Sequence, residues 1–293
     1  MENSKSVYSG LLALFVGAAL LGLSAIFVRF SETSPSLTAF YRAFLALPFL
    51  YVWVLRTKTD YSLANYLTKE NILVLMLAGI FFGTDMAIWN WSISFTSVAH
   101  ATLMANTAPI FVTLISFFFL KEKIKTSFFS ALILSFLGVN LVILSGSGSD
   151  SFKLLGDGLG LIAAVFYAAY ILAIKRLTNS LPPAHTLFFA TVFTAIFLFP
   201  VGLLESESLY PKTKKGWIVL LAYAFVSQSL AQGLITLGIS RLSAHVSSLT
   251  LLIQPVAAAI YGWLILSESL NLLQALGGLI VLAGIYLATR EQD

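Results

Sequence analysis

A chain of 293 residues with 58% hydrophobic and only 10% charged residues, and a mean hydropathy of +0.91, is built for lipid, since soluble domains carry roughly 25% charged residues. The absence of cysteine excludes disulfides, thiol nucleophiles and thiolate metal sites. A net charge of +4 spread over loops reads as membrane topology, not as a nucleic-acid surface.

A spanning helix needs about 20 apolar residues. Ten runs qualify: 8–30, 35–55, 71–91, 96–120, 127–145, 157–177, 185–204, 217–240, 243–266 and 271–289. They are too long for barrel strands, and lipid leaves exposed backbone groups without partners, so helices are expected. The first run is too long for a signal peptide and lacks a clear small-residue cleavage site, so it reads as a retained span. Ser145-Gly146-Ser147-Gly148-Ser149-Asp150 has the composition of a flexible linker.

Span 4 has an echo in span 9. SVAHATLMANTAPIFVTLISFFFLKE begins at Ser97, and SAHVSSLTLLIQPVAAAIYGWLILSE begins at Ser243, 146 residues later. At that offset Leu103 matches Leu249, Pro109 matches Pro255 and Glu122 matches Glu268, and elsewhere Gly138 matches Gly284. The chain therefore reads as one module written twice, 1–145 and 157–293, joined by 146–156. Five spans per module is odd, so the second module must enter the membrane from the opposite side. The expected fold is an all-α membrane protein of ten transmembrane helices in two inverted five-helix repeats. Eleven Lys and Arg residues fall on the N-terminal side of the layer and five on the other, which places both termini in the cytoplasm.

Polar residues inside the spans mark the candidate site. Arg42 and Asp85 fall roughly 10 Å below the outer surface, His100 about 6 Å and Asn106 about 15 Å, at 1.5 Å per residue. A charge at mid-bilayer costs at least ~2.5–3.5 kcal/mol, so such groups face a cavity and pair. Arg42 and Asp85 are expected to form a pair with His100 nearby, either as a substrate or proton site or as a structural salt bridge. Asp85 and His100 are the candidate proton carriers. On the same span, Gly79 and Gly83 have the spacing of a helix-packing pair. Trp89 and Trp91 suit the interface, Trp89 also as a gate, and Asn90 adjoins them. Pro109 and Pro255 are expected to kink their helices beside Asn106 and Gln254. Lys175 and Arg176 read as positive-inside markers, and Glu122 and Glu268 as structural helix ends. The second half offers neutral and aromatic groups: Tyr167, Tyr170, Gln254, and Gln228 and Gln232, which one helical turn puts on a shared face. Such a cavity suits an amphipathic zwitterion whose carboxylate meets Arg42. It does not suit a phosphate, which would want several cations.

Ten spans in two halves, Arg42 after Phe40-Tyr41 in span 2, and the small-residue–Pro–apolar–Glu pattern of spans 4 and 9 resemble the drug/metabolite transporter superfamily, EamA type. The resemblance implies a central cavity lined mainly by spans other than 5 and 10. It also implies secondary active transport across the cell (inner or plasma) membrane by alternating access, most commonly export of amino acids or similar zwitterions. Import or exchange of another metabolite or a drug-like cation is the alternative; a channel or an intramembrane enzyme is more remote. No HExxH, Walker or glycine-rich nucleotide motif occurs, and an intramembrane aspartyl protease would need a second deep acid beside Asp85. No catalytic residue, cofactor or metal is therefore expected. The expected partners are a small-molecule substrate, the bilayer and protons, with the chain a monomer or homodimer.

Overall fold

The computed structural model describes residues 2–57, 68–96, 98–118, 121, 124–146, 154–205, 208–267 and 271–289. Among them are ten helices long and apolar enough to cross a membrane: Ser6–Arg29, Pro35–Arg56, Lys69–Ser92, Ala101–Phe118, Thr126–Ile143, Leu154–Thr178, Pro183–Glu205, Lys214–Arg241, Ala244–Ile265 and Leu272–Thr289, here spans 1 to 10. Short polar residues start several of them by accepting from orphan backbone donors. Ser34 caps span 2 ahead of Pro35 in the first turn, and Thr68 and Thr213 cap spans 3 and 8. Asn271 and Gln274 open span 10 with reciprocal bonds of 3.0 and 2.8 Å. Apart from Gly146 and 154–156, the expected linker lies outside the described residues, as do Glu122 and Glu268.

Packing between helices obeys the repeat. Span 5 lies on span 10, span 2 on span 7, span 3 on span 6 and span 1 on span 8. Advancing each partner by five spans maps this set onto itself. The residue detail agrees. A Cβ on Gly138 would stand 2.7 Å from both Gly277 O and Val281 N, and one on Gly284 would stand 2.9 Å from both Ala131 O and Ser135 N. Since 138 + 146 = 284, 277 − 146 = 131 and 281 − 146 = 135, the two contacts are one contact seen from each side of a pseudo-two-fold axis. Lys121 and Ser267, also 146 apart, both take left-handed backbone at φ 54° and 57° where spans 4 and 9 end. Equivalent helices lie five spans apart, so they cross the layer in opposite directions.

The span 5–span 10 contact needs glycine because the two backbones touch. A Cβ on Gly277 would lie 2.7 Å from Gly138 O and 2.9 Å from Leu141 Cβ. Gly277→Val should therefore force the spans apart and cost about 1–3 kcal/mol, the usual cost of overpacking. A lowered thermal unfolding midpoint in detergent would record it. Gly79 and Gly83 are likewise packing residues, set against Phe193, Thr194 and Phe197 of span 7.

Three spans are interrupted. Span 1 turns at Gly22, span 4 at Asn106–Thr107 and span 9 at Leu251–Leu252. The expected kinks at Pro109 and Pro255 are thus full breaks placed two to four residues earlier. Each proline sits in the first turn of the following half-helix, Ala108–Phe118 and Ile253–Leu266, where its missing N–H costs nothing. Span 8 is continuous but winds as a π-helix over Ala224–Ala231.

Candidate functional site

All three breaks meet one cavity of about 200 Å³. It is lined from spans 1, 2, 3, 4, 6, 8 and 9, with nothing from spans 5 or 10. Gly22, Asn106, Leu251 and Leu252 all line it. Irregular backbone inside a membrane is tolerated where it faces protein or an aqueous space, and this cavity supplies the latter. The lining extends from Gln232 and Ser248, deep in spans 8 and 9, to Val28 and Pro35, beside the loop that joins spans 1 and 2. The cavity therefore reaches one face of the layer and stops short of the other. On the closed side span 1 lies against span 8, the Lys175 ammonium donates to Ile239 O at 3.0 Å, and Arg176 pairs with Glu70. On the open side the Glu32 carboxylate accepts from the Thr213 hydroxyl at 2.5 Å and its amide at 3.0 Å. Those bonds, the hydroxyl's first, hold the Glu32 carboxyl below its ordinary range.

Arg42 is the cavity's fixed cation. It is only 6% exposed. Its Nε donates to Gln228 Oε1 at 3.0 Å and its Nη1 to the Tyr223 hydroxyl at 3.2 Å. The guanidinium carbon lies 5.5 Å from the Phe82 ring centroid and 5.2 Å from that of Tyr223, so it is sandwiched between two π faces. Its remaining nitrogen, Nη2, is buried and has no partner. Asp85 lines the same cavity within electrostatic reach of the guanidinium. Among the described residues no ion pair joins the two. The expected Arg42–Asp85 pair is thus not formed: the two side chains face one space, Gln228 and Tyr223 hold two edges of the guanidinium, and Nη2 is without a partner.

Of the other residues singled out above, Trp89, Asn90, Asn106, Tyr167, Gln232 and Gln254 line the cavity. Asn106 donates its side-chain amide to Thr102 O at 2.8 Å, a carbonyl that also accepts the Asn106 backbone N–H at 2.9 Å. Tyr170 does not line it: the ring is buried behind the wall, stacked on Phe82 at 4.5 Å. Gln228 does not either. It stands behind Arg42, and its Nε2 donates to Thr191 Oγ1 at 3.0 Å. Gln228 and Gln232 differ in what they reach although their spacing predicts a shared face: Gln228 is taken up by Arg42 and Thr191, while Gln232 lines the cavity. The His100 side chain lies outside the described residues. The residues missed are Phe82 and Tyr223, whose rings enclose Arg42, and Ser24 on the wall. Tyr223 was hidden by its apolar neighbours, five residues before Gln228.

Because Thr191 and Gln228 fix one edge of the guanidinium, they aim Nη2. Gln228→Leu should let Arg42 swing. The expected result is a KM raised about tenfold for a ligand held by Nη2, with the maximal rate kept, from loss of one charge-assisted bond.

Among the described residues no group of three or more His, Asp or Glu could hold a metal. The model of the EamA-like transporter family matches residues 8–144 and again 154–290. The chain is 28% identical to the pseudopaline exporter CntI of Pseudomonas aeruginosa over 284 residues, 96% of each chain. It is 27% identical to the threonine/homoserine exporter RhtA of Escherichia coli over 232 residues, 77% of this chain and 75% of that one. A solved crystal structure superposes with a TM-score of 0.82 at 16% identity, covering 97% of this chain and 98% of that one, and so shares the fold.

Proposed function

The chain belongs to the EamA-like transporter family of membrane proteins, and on that premise we propose that it is a secondary active carrier exporting a small zwitterion, an amino acid or a close analogue, from the cytoplasm. The observation that carries this reading is the Arg42 Nη2 group, buried and unpartnered on the cavity wall. A donor left unsatisfied in a buried site is costly, and a substrate carboxylate would satisfy it. Asp85 in the same space supplies the opposite charge and takes the coupling proton. Phe82, Trp89 and Tyr223 provide apolar walls. One cation among the described residues that line the cavity is too few for a phosphate. Export rather than import is favoured by the names of two relatives, both exporters.

The excess of Lys and Arg orients the molecule with both termini in the cytoplasm. In that orientation the described cavity faces outward, and the contact of span 1 with span 8 closes the inner side. Alternating access then requires that inner contact to part while the outer mouth closes. Reconstitution into liposomes tests the reading. Saturable uptake of labelled amino acid, accelerated by unlabelled amino acid on the far side, is expected of a carrier. Flux that rises linearly with concentration and shows no counterflow would indicate a channel.

A further inference from the structure

The polar groups at the closed end of the cavity, Gln232 and Ser248, are not charged. Gln232 is 1% exposed, and neither its Nε2 nor its Oε1 makes a bond of ordinary geometry. The Tyr167 hydroxyl, buried on the same wall, lies within looser reach of the Gln232 and Gln254 carboxamides without closing a bond to either. Gln254 lines the wall close by, at the start of the second half of span 9. The Gln228 carboxamide, by contrast, is spent at both ends, on Arg42 and Thr191.

The chemistry of the vacant groups limits what can fill them. A carboxylate only accepts, so it would satisfy Nε2 and leave Oε1 bare. An ammonium only donates and would do the reverse. A hydroxyl or a carboxamide does both. Gln232 lies four residues beyond Gln228 along span 8, toward the closed side, so this point is separate from the guanidinium edge that Gln228 holds. We infer that Gln232, with Tyr167, forms a neutral subsite that reads a hydroxyl or carboxamide on the side chain of the transported zwitterion. The inference rests on the carrier reading above and adds specificity to it: polar side chains are selected over apolar ones of the same shape. A site built to bond such a group rejects the analogue without it, because its own polar atoms would stay unpaired.

The test uses near-isosteric pairs in proteoliposomes, L-threonine against L-valine and L-glutamine against L-methionine, as competitors of counterflow. The wild type should prefer the polar member of at least one pair tenfold or more. Gln232→Leu should bring that preference within about twofold while still carrying the apolar member, which shows that the variant is folded. Tyr167→Phe should lower the preference partially. Which pair responds separates a hydroxyl ligand from a carboxamide. Equal transport within both pairs by the wild type, or an unchanged preference in Gln232→Leu, would overturn the subsite and leave the carrier intact. Absence of saturable counterflow for all four amino acids would overturn both.

Discussion

Arg42→Leu should reduce transport of carboxylate-bearing substrates by about tenfold to a hundredfold, the equivalent of the ~1.5–3 kcal/mol carried by a charge-assisted hydrogen bond. The loss should appear in binding, as a raised KM, and should spare analogues that lack the carboxylate. The geometry explains why lysine would not rescue it. The guanidinium uses one edge for Gln228 and one for Tyr223, and its Nη2 is left without a partner. A lysine ammonium is a compact point charge on a flexible stem and cannot hold this orientation. Arg42→Lys should therefore be intermediate, recovering charge without aim. Competition assays across a carboxylate and its decarboxylated amine check both variants. Normal carboxylate transport by Arg42→Leu would remove Arg42 from the site.

Asp85→Asn should uncouple the carrier. The amide keeps the size and polar contacts of the carboxylate but cannot exchange a proton. Transport driven by a pH gradient should fall at least tenfold, while exchange between two pools of labelled and unlabelled substrate continues. Exchange needs only that the cavity reorient while loaded; net movement needs the proton to bind and leave. Parallel measurements with and without an imposed gradient separate the two. A gradient response equal to the wild type's would exclude Asp85 as the coupling group.

Much of this fold was legible in the chain because lipid simplifies the code. Ten apolar runs became ten spans within a few residues at each end, since length and hydropathy alone decide insertion. The 146-residue offset matched Gly138 with Gly284, and the structure sets the two in equivalent contacts, Gly138 on Gly277 and Gly284 on Ala131. Arg42 and Asp85 were found by cost: charges that deep must face a cavity. Their relation to one another was not legible. Depth along a helix says nothing of the competitors for a guanidinium, here Gln228 and Tyr223. Gln232 lines the cavity as expected, but Gln228 stands behind it for a different reason. Spacing along a helix does not give a side chain's partner, and Gln228 is taken up by Arg42 and Thr191. The helix breaks fell ahead of Pro109 and Pro255 rather than on them, because proline is easiest to place just after a break, where no donor is needed.

The chain contains no cysteine, so one introduced thiol reports on the cavity alone. Ala25 is exposed and lines the cavity near its open end. Purified Ala25→Cys protein in liposomes should carry labelled zwitterion normally, lose that transport on treatment with a membrane-impermeant thiol reagent, and be protected by saturating unlabelled substrate. Undiminished transport after complete labelling of Cys-substituted protein would contradict the placement of the substrate path between Arg42 and Asp85.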